Sequence, residues 1–579
     1  MRRYPHSWAG FMSIIHVGHI RNNLLTRFGA LVDLTDVAQV PPDQLDAFRL
    51  TRSLAAFAIA ELSGLDDIPA AQTVTDGPQD NGIDAVYFDP VEHTCFLVQS
   101  KWINLGNGSV ELGDGLKFIQ GVRDLLEAKF DQFNAKMIQH QNKIFSALSD
   151  TSATFTLVLA YTGEQPLSAD VQKPFNDLLT EMNSPTEMVS LEILNQARLH
   201  SIVATGAVGE AVDLEIMLHQ WGLVKEPYVA FYGQVAVSDI AAWGAYGTRL
   251  TSKNLRQFKG LTEINESISK TLSSTPEKFW YFNNGITVLC DSVRKKPLGG
   301  SSTEIGTFEC QGACVVNGAQ TVGTIVSAAQ KGDGQFADAR VLVRLISLDN
   351  CPPNFADELT RATNTQNRIE RRDFAALDPN QKRLRTELLL ECQKEYAYQS
   401  GENAPQESVG CTLDEAAVAL ACAMSDVGLA VQAKREIGML YEDITKAPYI
   451  QLFNAGTTAR QLWNAVVTLR AVEVELRDIQ ASRSRKEQLI AIHGNRFISH
   501  LVFQKLRNGS KELPDPSAIG PRIRDLTGDM LAIAIKLVGE QHSGAYPASL
   551  FKNASKCRSL AKAALAVEQM NVPVQQQLI

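Results

Sequence analysis

No run of ~18 or more apolar residues occurs in this sequence, so it lacks the segment from which an ordinary membrane-spanning helix is built. Cysteine is sparse and scattered: nine residues between Cys95 and Cys557, an odd number with no Cys-x-x-Cys pair. That pattern argues for reduced thiols in a cytoplasm and against a disulfide framework or a zinc knuckle. Cys310 and Cys314 have no neighbouring His or Cys pair to complete a metal set. An excess of basic charge is missing too. With 55 Lys and Arg against 64 Asp and Glu, the net charge is −9, which excludes a surface coated with non-specific nucleic-acid affinity. The opening Met1-Arg-Arg-Tyr-Pro has the charge of a signal peptide, but His16, Gly18 and His19 interrupt any apolar stretch behind it. No export signal is expected, Met12 would serve equally as a start, and a cytoplasmic location is the expectation. Internal repeats and extended low-complexity segments are also lacking.

What is present is ordinary globular material. The 579 residues are 45% hydrophobic and 21% charged, enough for roughly three to five domains at ~100–200 residues each. Residues 43–64 read as an amphipathic helix opened by Pro41-Pro42-Asp43 and closed by Gly64, with a stripe at Leu50, Leu54 and Phe57. The next step along that stripe is Glu61, a carboxylate where a core residue belongs. Turn signals at Thr75-Asp-Gly-Pro and Asp80-Asn-Gly lead into two short β-like runs, Ile83 to Phe88 and Thr94 to Trp102. Asp114 to Leu148 reads as a long helical stretch, Thr154 to Tyr161 as a buried strand, then a helix to about Glu181 and a strand from Met188 to Leu194. That order describes one α/β domain. Residues 220–400 are rich in Asn, Gln and aromatics, with strand-like runs at Tyr228 to Val237 and Val341 to Ile346, and read as a second α/β domain. Residues 405–579 turn Ala- and Leu-rich with helical spacing, leaving 1–42 as an N-terminal extension. Two basic groups stand out, Arg361 to Arg385 and a second made of Arg483, Arg485, Lys486, Arg496, Lys505 and Arg507. The second is expected to be a solvated helix face.

Chemistry concentrates in the hairpin. If Pro90 to His93 form its loop, Phe88 pairs with Cys95 and Asp84 with Gln99. Opposed side chains of an antiparallel pair lie about 5 Å apart at Cβ, and Lys101 shares the face of Gln99. A carboxylate, an amide oxygen and an ammonium then converge, and Glu61 would add a second carboxylate. Oxygen donors with open positions suit Mg²⁺ or Mn²⁺.

Gly82-Ile83-Asp84-Ala85-Val86 followed by Phe96-Leu97-Val98-Gln99-Ser100-Lys101-Trp102 resembles the Mrr-like branch of the PD-(D/E)xK nuclease superfamily. The resemblance implies a restriction-endonuclease-like fold over residues 43–205. It further implies Asp84, Gln99 and the backbone carbonyl of Ser100 as metal ligands, Lys101 as the catalytic lysine, and an acidic residue on the preceding helix. Glu61 is the best-placed candidate for that residue. Gln99 stands where Glu is commoner, which lowers the ligand charge.

In the middle stretch, Asn254-Leu-Arg256, Phe279-Trp-Tyr-Phe-Asn-Asn-Gly-Ile-Thr287, Val316-Asn-Gly-Ala-Gln-Thr321 and Ala362-Thr-Asn-Thr-Gln-Asn-Arg368-Ile369 stand out. Their Asn-Gly turns expose backbone donors, and Gln320-Thr321 opens an apparent helix whose free N–H groups suit an anion. Arg256, Asn284, Gln320, Asn364 and Arg368 are the candidate ligand or nucleic-acid contacts, with turn and cap roles as the alternative. The aromatic run Phe279 to Phe282 is expected to be core. These clusters, with Asp373-Phe374-Ala-Ala-Leu377-Asp378-Pro-Asn-Gln381, resemble the abortive-infection phage-resistance (AIPR) family, which implies bacterial antiviral defence.

The expected fold is therefore α/β multidomain: a restriction-endonuclease-like domain, an α/β middle domain and a helical C-terminal domain. The expected activity is Mg²⁺- or Mn²⁺-dependent endonucleolytic cleavage, of DNA in preference to RNA, in anti-phage defence by a homo-oligomer, a dimer, with a phage-derived or nucleotide trigger. The alternatives are a nucleic-acid or nucleotide sensor with an inactive nuclease fold, and an interaction scaffold for a phage component. Residues 364–381, dense in arginine, are expected to link the middle and helical domains.

Overall fold

The computed structural model describes residues 6–184, 186–208, 212–251, 263–297, 303–331, 339–352, 354–365, 375–399, 402–507 and 513–567. They form two compact units, one of Met1–Ala204 with Ile369–Ile579 and one of Thr205–Arg368. The architecture is mixed α/β with a helical C-terminal region.

In the first unit, β1 (Ala85–Asp89), β2 (Thr94–Lys101), β3 (Thr154–Tyr161) and β4 (Val189–Leu194) form a sheet in that spatial order. The β1–β2 pair is antiparallel and the two following pairs are parallel. Both faces of this sheet are covered, and the period-two alternation assigns them. Cys95, Leu97, Leu157 and Leu159 join a core with Phe118, Val122 and Leu125 of α3 (Leu112–Leu126) and Met137 of α4 (Ala135–Ser149). Val98, Val158 and Ala160 pack on the other face with α1 (His6–Arg27) and α2 (Pro42–Ser63). Pro42 presets the first turn of α2. Gly64 ends the helix with φ 74°, its N–H reaching Ala60 O. Residues 52–60 of α2 are buried all round because the sheet takes one side and α1 the other.

The long helical stretch expected from Asp114 to Leu148 is two helices. The chain breaks at Ala128, whose φ is 57°, and passes through a short 3₁₀ turn at Phe130–Gln132 before Asn134 caps α4. Apolar periodicity persists across the break, so periodicity alone could not reveal it.

The C-terminal helices belong to the same unit. Leu384 and Leu388 of helix Pro379–Cys392 enter a core with the Ala-rich helix Leu413–Ala423 and with Ala459–Gln480, so residues 375–399 group with the helical segment. The second basic group is not a solvated face. Lys486 pairs with Glu127 at 2.5 Å, Arg485 lies over the rings of Phe130 and Phe145, and Arg496 pairs with Glu473. Beside them His493 Nε2 meets Leu148 O at 2.6 Å, and burial drops that imidazole to about 3. Lys486 and Arg485 fasten a helix to the sheet domain and Arg496 ties two helices together, uses invisible to local charge counting.

The second unit holds a sheet of seven strands. They are β5 (Leu214–Val224), β6 (Ala230–Ala236), β7 (Ile286–Cys290), β8 (Ser292–Lys295), β9 (Ile305–Gln311), β10 (Cys314–Asn317) and β11 (Arg340–Ser347), in the order β10-β7-β11-β6-β5-β9-β8. Among these described strands, only the β7–β11 pair is parallel.

Candidate active site

The hairpin register pairs Ala85 with Val98 and Phe88 with Cys95. Asp84, just before β1, donates its N–H to Val98 O at 2.7 Å, the carbonyl of Ala85's own partner, so this bond sets Asp84 beside Val98, and its carboxylate turns to Ser100. Gln99 points to the α3 face, where its Nε2 donates to Asp114 O at 3.0 Å. Lys101, two residues on, shares that face and pairs with Asp114 Oδ2 at 2.6 Å. Ser100 faces the other way. Its hydroxyl lies 3.0 Å from both Thr51 O and Asp84 Oδ2, and its N–H donates to the same carboxylate oxygen at 2.7 Å.

Two further carboxylates complete the site. Oxygens of Asp76, Asp80 and Asp84 all lie within 4.8 Å of one another. Both new members come from the turns that precede β1. Gln79, Asn81 and Gly82 all take positive φ, winding the chain so that residues four apart face one point. Gly82 is required there, since a Cβ would meet Phe118 N at 2.8 Å and its φ is +80°. Each carboxylate is held. Asp76 Oδ2 accepts from Arg52 Nε at 2.7 Å, Asp80 Oδ1 pairs with Lys117 Nζ at 2.6 Å, and Asp84 rests on Ser100. Arg52 is fully buried and also grips Asp36 through two hydrogen bonds of 2.7 and 2.8 Å.

The electrostatics follow from this crowding. Burial, then the charges of Asp76 and Asp80, push the Asp84 carboxyl well above the usual range. Burial raises Asp76 as well, opposed by Arg52. Gln99 Oε1 is buried without a hydrogen-bond partner among the described residues. The pocket measures about 510 Å³, and Asp76, Asp80, Asp84, Gln99, Lys101 and Lys117 are among its lining residues. An all-oxygen donor set with one orphaned acceptor fits a hard dication such as Mg²⁺ or Mn²⁺.

Glu61 is not part of this cluster. It is exposed at the last turn of α2 and pairs with Arg27 of α1 at 2.6 Å. The stripe that led to it faces α1, where Phe57 meets Phe28 edge-on and Arg27 lies over both rings. The pocket instead meets the opposite end of α2 at Gln44, Ala47, Phe48 and Thr51. Along the sequence Asp76 and Asp80 read as turn residues. The four-residue spacing of Asp76, Asp80 and Asp84 was the available signal.

In the second unit, Asn284 is exposed and Gln320 half-buried at the start of α5 (Ala319–Lys331). Their two turns pack back to back: a Cβ on Gly318 would come within 2.8 Å of Gly285 O. Asn283 braces its own turn by accepting from Gly285 N at 3.0 Å, and its Nδ2 reaches Thr321 Oγ1 at 3.3 Å. Arg256 and Arg368 lie outside the described residues, as does the side chain of Asn364 in helix Phe355–Thr365. The aromatic run is not core as a whole. Phe279 is buried, while Trp280, Tyr281 and Phe282 are 39, 75 and 68% exposed, because a helix of one turn can bury one side only.

Residues 252–490 match the family described as AIPR protein, a stretch that runs from the second unit into the helical part of the first. No curated protein and no solved structure matches the chain. The match covers less than half of the chain, and the acidic pocket lies N-terminal to it. Among the described residues, no helix is long and apolar enough to cross a membrane.

Proposed function

We propose that the first unit carries a metal-dependent nuclease site of the PD-(D/E)xK type, acting in bacterial defence against phage. The defence role is supported by the AIPR match. The observation that carries the chemistry is the orphaned, buried Oε1 of Gln99, a residue that lines one pocket with three clustered carboxylates. Buried acceptors are ordinarily satisfied, and a dication would satisfy this one while offsetting the burial and the like charges that raise Asp84. Asp84, Gln99 and Asp76 would hold Mg²⁺ or Mn²⁺, with Asp80 in reserve behind Lys117. When bound, such an ion supplies Lewis-acid stabilisation of the charge that builds on a phosphodiester under attack by water. Lys101, held at the pocket wall by Asp114, donates to a phosphate oxygen, and Lys117 offers a second ammonium. Arg52 keeps Asp76 aimed inward and favours its charged form against the effect of burial.

The test is cleavage of labelled duplex DNA, single-stranded DNA and RNA with Mg²⁺ and with Mn²⁺. Metal-dependent products are expected from the wild type and not from Asp84→Ala or Lys101→Ala, both with unchanged circular dichroism. Wild-type protein that leaves all three substrates intact under both metals overturns the proposal. A second reading, a nucleic-acid or nucleotide sensor, draws on the exposed Trp280, Tyr281 and Phe282 beside the paired Asn-Gly turns. Exposed rings offer stacking surfaces to bases. Binding without cleavage would favour it.

A further inference from the structure

Beside the acidic pocket lies a second, more open cavity of about 790 Å³, and Lys117 lines both. One face of α3 joins them. Asp114 lines the first cavity, Lys117 both, and Gln120 and Asp124 the second, at spacings that keep to one side of a helix. From Asp114 to Asp124 the helix climbs about 15 Å at ~1.5 Å per residue. That is about four base steps at the ~3.4 Å rise of a nucleic-acid strand.

The second cavity is organised around a buried carboxylate. Asp124 accepts from Asn81 Nδ2 and Gln120 Nε2, each at 3.0 Å, and from Lys129 Nζ at 3.2 Å. An amide that donates through its nitrogen turns its carbonyl oxygen to the other edge, so Asn81 and Gln120 are held as fixed acceptors. Exposed Gln79 and Gln132 add two more amides outside this network. Lys117 and Lys129 balance Asp124 and Asp131, which leaves the lining formally neutral. A string of phosphates gains little from a neutral surface. Base edges, which present donors and acceptors without net charge, match it, and Asn and Gln are the side chains that read them in pairs of hydrogen bonds.

We propose that this groove reads bases of the substrate strand within about four nucleotides of the scissile phosphate, with Gln79 and Gln132 as selecting side chains and Lys117 as the phosphate contact between the cavities. The proposal rests on the nuclease reading of the acidic pocket. It makes the enzyme selective for base composition near the cut, not indifferent to it.

The experiment measures binding of fluorescein-labelled oligonucleotides of dA, dC and dT, single-stranded and in duplexes, by anisotropy with divalent metal chelated so that nothing is cut. Cleavage of the same strands in Mg²⁺ is followed separately. Wild-type affinities are expected to differ with base composition by on the order of tenfold. The double variant Gln79→Ala with Gln132→Ala should flatten that difference to within about twofold, at an unchanged melting temperature and with the weakest-bound strand unaffected. Asp170→Ala, on a surface lining neither cavity, should preserve the preference. A wild type that cleaves yet binds all compositions alike overturns the base-reading groove and leaves the nuclease standing. So does a double variant that weakens every strand equally. A wild type that neither binds nor cleaves any strand overturns both.

Discussion

The acidic pocket of the first unit and the paired Asn-Gly turns of the second are made from the same material, short polar side chains in tight turns, and differ in what the turns do with it. In the pocket, the turns bury Asp80 and Asp84 beside Asp76 and leave Gln99 Oε1 without a partner. In the second unit, Asn283 braces its own turn and Gly285 and Gly318 let two turns touch. Confined like charge is costly unless something balances it, whereas an amide satisfied within its own turn asks for nothing further. A turn motif therefore points to chemistry where it leaves charge and coordination capacity open, and to architecture where its polar atoms are satisfied locally.

The largest expected effect tests that division directly. Asp84→Ala should slow metal-dependent cleavage about a thousandfold or more, several kcal/mol of transition-state stabilisation. Asn284→Ala should leave single-turnover rates within about threefold, and comparable losses from the two would collapse the comparison.

Next comes the buried scaffold of the pocket. Arg52→Ala strands Asp36 and Asp76, and removing one partner of a buried ion pair costs about 3–5 kcal/mol. Denaturant unfolding should show that loss. A change below about 1 kcal/mol would mean that Arg52 behaves as a surface cation.

The third prediction uses pH. Burial first, and Asp76 and Asp80 next, raise the Asp84 carboxyl, so the metal-free folded state holds a proton that the unfolded chain releases. The stability from this group is complete below its ordinary pKa of about 3.9 and is lost as pH rises towards the elevated folded value. Asp84→Asn should therefore melt above the wild type at neutral pH in chelator, by about 2–4 °C for each kcal/mol. The gap should close as pH falls towards about 4. Adding Mg²⁺ should raise the wild-type melting temperature and not that of the variant. No difference at neutral pH would deny that charge is confined in the pocket.

In the second unit, Gly285→Ala forces a side chain onto φ +86° with its Cβ 2.8 Å from Leu342 O. A cost of about 1–3 kcal/mol is expected, read by thermal melting, with the Mg²⁺-induced shift of the acidic pocket unchanged. The smallest effect belongs to Glu61→Gln. Its half-exposed pair with Arg27 is worth under ~1 kcal/mol, and cleavage should be unaltered. A large loss of activity would return Glu61 to the site.

Much of the first unit was legible along the chain. Strand β3 begins and ends at the expected residues, and the hairpin register follows from loop length and alternation alone. These are local properties: a period of two chooses a face, and a turn chooses a register. The break between α3 and α4, the exposed aromatics and the seam cations were not legible. Each depends on which surface arrives from elsewhere to cover a given side chain.

The sequence by itself determined the hairpin register of Phe88 with Cys95 and the shared face of Gln99 and Lys101, because periodicity and pairing act between near neighbours. Only the tertiary structure decided which carboxylates joined them. The apolar stripe ending at Glu61 was claimed by α1, so that glutamate lies outside the pocket. Asp76 and Asp80, in turns wound by positive φ and held by Arg52 and Lys117, were brought inside. Charge placement depends on the path of loops and on partners distant in sequence, and no local period encodes either.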